Sequence, residues 1–323
     1  MDRTVKKIRH LVSPECDIDL SAGVDAKDFD AHLNMCITQA KDALDIYPLA
    51  GYNDFERDNL KITLDCLKYS HQTIRRILSE APSPSTVDAL AIARLQVETL
   101  YTFCLMLQDA KYVRDFLKYG WKQKYIRFLL LREEYCKISR FSDHFEKGFQ
   151  QLQLLQARCL VSEDERHTIE EQQLGKPLPK GTRPVPIERF PTPGAVVDKL
   201  TDPDLKKMLV RLYVEYEFLC VFAHGGADAE VFKASLDPRS PVQEFISPEQ
   251  RRDLFQCQLA GPSLTYSLIS AVQCATEVAA RCPNHVELQV KLSNAWSVLR
   301  KCSLWSVPVW EIRAKKVLPK LLE

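Results

Sequence analysis

The sequence predicts an all-α protein, a multi-helix bundle crossed by a proline-rich loop, on three observations. Apolar residues recur at helical spacing through most of the chain. No segment alternates apolar and polar residues between turn signals, as a half-buried strand would. No self-similarity recurs at a solenoid period, so the helices must cover one another rather than stack as repeats. With 323 residues, 46% of them hydrophobic and 27% charged, the chain is long enough to bury a substantial core.

Residues 1–23 lack periodicity and read as a flexible N-terminal arm, and 24–323 read as a single helical domain. Its two halves, 24–174 and 195–323, are joined by a proline-rich linker at 175–194. Asp25 can cap a helix through about Ile46, with Phe29, Leu33, Ile37 and Ala40 on one face. After punctuation by Pro48, Gly51 and Asn53, a second helix runs from Asp54 to about Glu80 on the stripe Leu60, Leu64, Leu67, Ile74 and Leu78. The turn Ala81 to Ser85 then leads into the most apolar stretch, Thr86 to Ala110, with Ser85 as its cap and Asp88 at the positive end of its dipole.

Beyond Ala110 the helical pattern continues to Arg140, with an interruption expected at Gly120 and a core face of Phe116, Tyr119, Ile126 and Leu130. Phe141 to Leu174 reads as one further helix. Prolines at 177, 179, 184, 186, 191 and 193 make the following segment extended. A second very apolar helix, Pro203 to His224, is stopped by Gly225 and Gly226. After a loop with Pro238 and Pro241, Ser247 and Pro248 supply the cap and first residue of a helix reaching Arg281. Asn284 opens the last long helix, to about Lys301, before an aromatic tail with Trp305 and Trp310.

Composition narrows the function. The 44 basic and 43 acidic side chains leave a net charge of +1, so no global field attracts nucleic acid or an anionic membrane. Aromatics interleaved with Lys111, Arg114, Lys118, Lys122, Lys124 and Arg127 fit a nucleic-acid face in type, but they fit an amphipathic helix better, so nucleic acid is not the favoured partner. The 11 cysteines are scattered singly from Cys16 to Cys302 with no CxxC pair, and read as reduced thiols packed as small hydrophobes. Neither metal nor cofactor is expected. The N-terminus lacks the apolar core of a secretory signal, and no uninterrupted run reaches membrane-span length. A cytoplasmic, bacterial-like protein with no membrane partner is the expectation.

The phosphate-binding GxxxxGK[ST], the dinucleotide GxGxxG, the metallopeptidase HExxH and the hydrolase GxSxG are all absent. One polar constellation stands out. Arg94 and Glu98 sit in the middle of the most apolar helix, four residues apart and so on one face, which predicts that they are buried together and satisfied by a partner helix. Tyr216 and His224 on the second apolar helix are the candidate partners. As a catalytic set, Glu98 would orient His224, Arg94 would hold an oxyanion or phosphate and Tyr216 would donate a hydrogen bond. A histidine just before two glycines also suits a capping role at a helix C-terminus.

The central RLxxE, Arg94 to Glu98, together with YxxxCxxxHG, Tyr216 to Gly225, resembles a bacterial all-helical family known as domain of unknown function 5677. The resemblance covers roughly Leu60 to Gly226 and implies that an arginine and a glutamate on one helix accompany a tyrosine and a histidine on another. The family commonly has a serine midway between the last two; Cys220 stands there in this chain. The architecture is also similar to small helical ribonucleases of prokaryotic defence systems, whose arginine lies roughly four to six residues before a histidine. Arg140 and His144, like Arg281 and His285, have three residues between them and depart from that pattern. The leading expectation is a module binding a protein or small-molecule partner. A metal-independent hydrolase or ribonuclease using His224 and Glu98 is the alternative.

Overall fold

In the computed structural model the described residues are 26–318, apart from 48, 80–82, 136–137, 139–141 and 302–306. The N-terminal arm, its neighbouring cap Asp25 and Trp305 lie outside them. In chain order the elements are α1 (Ala26–Ile46), α2 (Asp54–Leu78), a 3-10 turn (Pro84–Val87), α3 (Asp88–Gln108), α4 (Ala110–Tyr135), α5 (Ser142–Arg158) and α6 (Glu163–Leu174). They continue with α7 (Pro193–Lys199), α8 (Pro203–Ala223), α9 (Ala227–Leu236), a 3-10 turn (Pro241–Phe245) and α10 (Pro248–Phe255). A π-helical turn (Gln256–Ala260), α11 (Gly261–Arg281), α12 (Val286–Leu299) and α13 (Val307–Val317) complete the chain. No strand occurs among the described residues, and the class is all-α.

The helix boundaries follow local chemistry. Asn53 and Glu56 form a reciprocal capping box at the start of α2, and Ser247 and Gln250 do the same at α10. The helix expected over Phe141 to Leu174 is two, because Ser162 and Glu165 form a third capping box that restarts the chain after Leu160, held at φ 56°. The helix expected from Pro248 to Arg281 is interrupted by the π turn. Pro262 lacks the amide that an α-helix would donate to Gln258, and Gly261 bonds five residues back to Gln256 instead. Gly120, by contrast, does not interrupt α4. Its helical cost of about 1 kcal/mol is outweighed by the burial of Trp121 and Tyr125 just beyond it, at about 1.5–3 kcal/mol per large apolar side chain. His285 rather than Asn284 caps α12, its Nδ1 accepting from the Leu288 amide at 3.0 Å. The stretches expected as loop after Gly226 and as aromatic tail contain α9 and α13.

Where one domain was expected over 24–323, the elements cluster into two compact units, one of Asp109–Thr192 and one of the residues before and after it. In the larger unit the apolar faces of α1 and α2 are buried as expected, with Phe29, Leu33, Leu60, Leu64 and Leu67 fully inside. Its centre, however, is α11 as much as α3. Every residue of α11 from Gly261 to Ala279 is buried, although the helix is rich in serine and threonine. Three of its hydroxyls are satisfied within the helix: Thr265, Ser270 and Thr276 donate to the carbonyls of Gly261, Tyr266 and Val272 at 2.7–2.8 Å, whereas Ser267 meets His71 and Ser263 Oγ has no partner among the described residues. Around α11 pack α1, α2, α3, α12 and α13.

The stretch Pro84–Gln108 is long and apolar enough to cross a membrane by length and composition, and 61% of its most apolar window is buried inside the protein. Its C-terminal half is buried nearly all round, from Leu100 and Tyr101 through Leu107, which is the composition a central helix needs. Its N-terminal half has an outer side, so Leu95, expected on the apolar stripe, is 50% exposed. Two long-range bonds lock α3 in place. Gln96 Nε2 donates to the Leu67 carbonyl at 3.0 Å, and Tyr101 Oη donates to the Leu209 carbonyl at 2.6 Å.

The smaller unit comprises α4, α5, α6 and the proline-rich segment. Trp121, Tyr125 and Leu129 form the buried face of α4, against Leu152, Val161, Ile169 and Ile187. Phe116 and Leu130 are exposed, so the core face lies about one residue's rotation from the expected one. The proline-rich segment is an anchored strap: Ile187 and Phe190 are buried, Thr168 accepts from the Val185 amide at 2.8 Å, and Lys122 donates to the Ile187 carbonyl at 2.7 Å. Most of its residues from Lys176 to Pro186 are exposed, and burial begins at Ile187. Brief trypsin digestion should therefore cut first after Lys180, since Lys176 and Arg183 precede prolines and Arg189 adjoins the buried Phe190. First cleavage within α11 or α3, read by mass spectrometry, would contradict the assignment.

Candidate functional site

The contacts of α3 with α8 run antiparallel. Arg94 meets Tyr216 and Cys220, Tyr101 meets Leu209, and Gln108 meets Lys199 and Thr201 just before α8. This direction decides which of the four predicted site residues come together. Arg94, Glu98 and Tyr216 do: Arg94 donates to Tyr216 Oη at 2.7 Å and to Cys220 Sγ at 3.3 Å, and pairs with Glu98 at 3.1 Å. His224 does not. Glu98 lies one turn farther along α3, opposite the middle of α8, while His224 lies at the far end of α8, about a dozen residues or roughly 18 Å along the axis. No hydrogen bond or ion pair joins the two.

His224 is the exposed C-cap of α8, its amide donating to the Cys220 carbonyl at 3.1 Å. Gly225 follows at φ 65°, a left-handed turn that glycine adopts without strain, and the Gly226 amide closes the end on the Val221 carbonyl at 3.0 Å.

The Arg94–Glu98 pair is not buried as expected, because the side chains are 17% and 39% exposed on the outer side of α3. Tyr216 is buried, and burial together with the Glu98 charge pushes its phenol up to about 12, so it stays protonated near neutral pH. Removing Glu98 should cost about 0.5 kcal/mol or less, the scale of an exposed pair. Arg94→Ala strips the partner from Tyr216 and Cys220 and should cost about 1–3 kcal/mol. Urea unfolding of the two variants checks the order, and equal midpoints would reverse it.

A cavity of about 370 Å³ lies elsewhere in the larger unit, where the ends of α3 and α11 meet the start of α8 under α13. Cys104, Leu107, Leu205 and Ala279 supply apolar wall. Charged groups converge on its other side. Arg313 grips Glu277 bidentately at 2.8–2.9 Å and reaches Asp202 at 2.8 Å, and Gln273 donates to Glu277 at 2.8 Å. The hydrogen bonds to Glu277 push Arg313 further up, so it remains a cation despite burial. Asp202 caps α8 by accepting from the Asp204 and Leu205 amides; burial raises its pKa, but these bonds and Arg313 together hold it below the usual carboxylate value. Gln108 accepts from the amide and hydroxyl of Thr201, fixing the loop at the rim.

A third cluster has the composition of a hydrolytic triad. His71 Nδ1 is 2.7 Å from Ser267 Oγ and its Nε2 is 2.7 Å from Asp30 Oδ1, while Arg75 flanks Asp30 at 3.1 Å. Ser267 lies in the buried Gly261–Ala279 part of α11 with no exposure, and lines neither cavity described for this unit. A nucleophile needs access and oxyanion donors beside it, so this relay ties α1, α2 and α11 together instead. Burial lowers the His71 pKa although Asp30 opposes the shift. In that interval the unfolded chain binds more protons, so stability rises with pH. The contribution is complete above the unfolded value near 6.5 and is lost as pH falls below it toward the lowered native value. Denaturant midpoints should therefore drop between about pH 7.5 and 5.5, and drop less in His71→Gln; equal drops would show that another group governs the slope.

The basic residues of α4 are largely engaged inside the smaller unit. Lys111 pairs with Asp115 and Lys118 with Glu165, each at 2.7 Å, and Lys122 holds the strap. Trp121 and Tyr125, the aromatics a stacking platform would display, are buried. Comparison with protein-family models, curated proteins and solved structures returns no match, so the family resemblance rests on its two motifs. Sequence reasoning missed the cavity's Asp202, Glu277 and Arg313. Glu277 carries the same signal as Arg94, a charge within an apolar helix, but its partner comes from a segment that reads as an aromatic tail.

Proposed function

We propose that the chain is a binding module, and that the cavity at the α3, α8, α11 and α13 ends takes a small-molecule ligand. The observation that carries this reading is the cavity itself. About 370 Å³ falls within the usual range of ligand sites, and an apolar wall facing a few converging charged groups is their usual lining. The hydrolase alternative lacks support, since Glu98 and His224 do not meet. A reducing location, the cytoplasm, accords with the buried free thiols of Cys36, Cys104, Cys274 and Cys282; burial pushes Cys36 up to about 12.

Ala280 is exposed and lines the cavity, so Ala280→Trp should obstruct it without disturbing the core. Fragments that raise the melting temperature of the purified chain should lose that effect in Ala280→Trp and keep it in His224→Ala. The reverse pattern, or histidine-dependent turnover of RNA or phosphoesters, would replace binding by catalysis.

A further inference from the structure

Arg313 and Lys316, which line the cavity, also line a neighbouring one of about 160 Å³. Asp204, Lys207, Met208 and Arg211 of α8 and Ile312 of α13 complete the smaller one. The charges around the two do not balance. Glu277 and Asp202 are taken by Arg313, and Asp204 is taken by Lys316 at 2.6 Å. That leaves Lys207, Arg211 and Arg281 without a carboxylate partner among the described residues.

The placement of Lys207 and Arg211 runs against a local rule. Four residues apart, they are like charges on one helix face, which repel. Sites that break local rules are where binding is expected to supply the missing compensation. A multiply charged anion would supply it here. A phosphate ester carries a charge of about −1.5 to −2 at neutral pH and presents oxygens to an arginine fork, whereas a carboxylate brings one charge.

We infer that the ligand is a small molecule with an apolar or aromatic body and a phosphate ester group, the body in the larger cavity and the phosphate against Lys207 and Arg211. This deepens the binding reading above and rests on it. Arg313 stands at the junction, but its fork is occupied by Glu277 and Asp202. Lys316 is likewise occupied by Asp204, so Lys207 and Arg211 hold the phosphate, and binding weakens as salt screens these exposed cations.

Calorimetric titration of the full chain with 1-naphthyl phosphate, 1-naphthoate, 1-naphthol and inorganic phosphate tests the inference. The ester should bind at least about tenfold more tightly than each of the other three. Lys207→Ala/Arg211→Ala should remove that advantage with an unchanged melting temperature, since both side chains are exposed. If naphthol or naphthoate binds as tightly as the ester, and Ala280→Trp blocks it, the phosphate assignment is overturned while the cavity remains a binding site. Equal affinity for inorganic phosphate and the ester overturns joint occupation of the two cavities. Failure of all the organic probes to bind overturns the inference together with the binding reading.

Discussion

The larger unit depends on the burial of α11 on all sides from Gly261 to Ala279. A helix in that position has no water to solvate its polar side chains, so each must find a partner in the protein or cost about 1–3 kcal/mol. The hydroxyls of Thr265, Ser270 and Thr276 turn back on their own helix, Ser267 meets His71, and Glu277 is held by Arg313. The last two bonds reach other elements and so dictate neighbours. His71 and Asp30 bring α2 and α1 to one side, and Arg313 brings α13 to the C-terminal end.

The cavity follows from that packing. The C-terminal ends of α3 and α11 approach the start of α8, and Arg313 bridges Glu277 on α11 to Asp202 at the α8 cap. Carboxylates fixed by an arginine and by helix amides hold a shape, and Asp202, kept below the usual carboxylate value, is poorly suited to exchanging protons near neutral pH. The residues with acid–base chemistry are committed elsewhere. His71 is sealed within the core, and His224 ends a helix in solvent. Tyr216 is a protonated phenol held by Arg94. Chemical type alone would have named any of these as catalytic; access and direction exclude them from a shared site.

Several features are legible in the amino-acid sequence. The stripes of α1 and α2, the caps at Ser247 and Pro248, and the stop at Gly225 and Gly226 depend on residues within one or two turns of each other. The convergence of Arg94 with Tyr216 is also legible, because a lone cation in an apolar helix must be met by something. The centrality of α11 is not. Its small hydroxyl residues dilute hydropathy, and only their return bonds to the helix backbone make them fit for a core. His71 sits on the Leu67 and Ile74 stripe, yet its partners are 41 residues away at Asp30 and 196 away at Ser267.

The sequence by itself determined the helix ends set by local caps, glycines and prolines, because these act on adjacent backbone groups, and it determined the all-α class through apolar periodicity. Tertiary structure alone decided which helix ends meet. The antiparallel course of α3 against α8 joins Arg94 to Tyr216 and separates Glu98 from His224, and the docking of α13 turns Asp202, Glu277 and Arg313 into the wall of a cavity. Each of these outcomes depends on long-range packing free energy, which one helix's own residues do not encode.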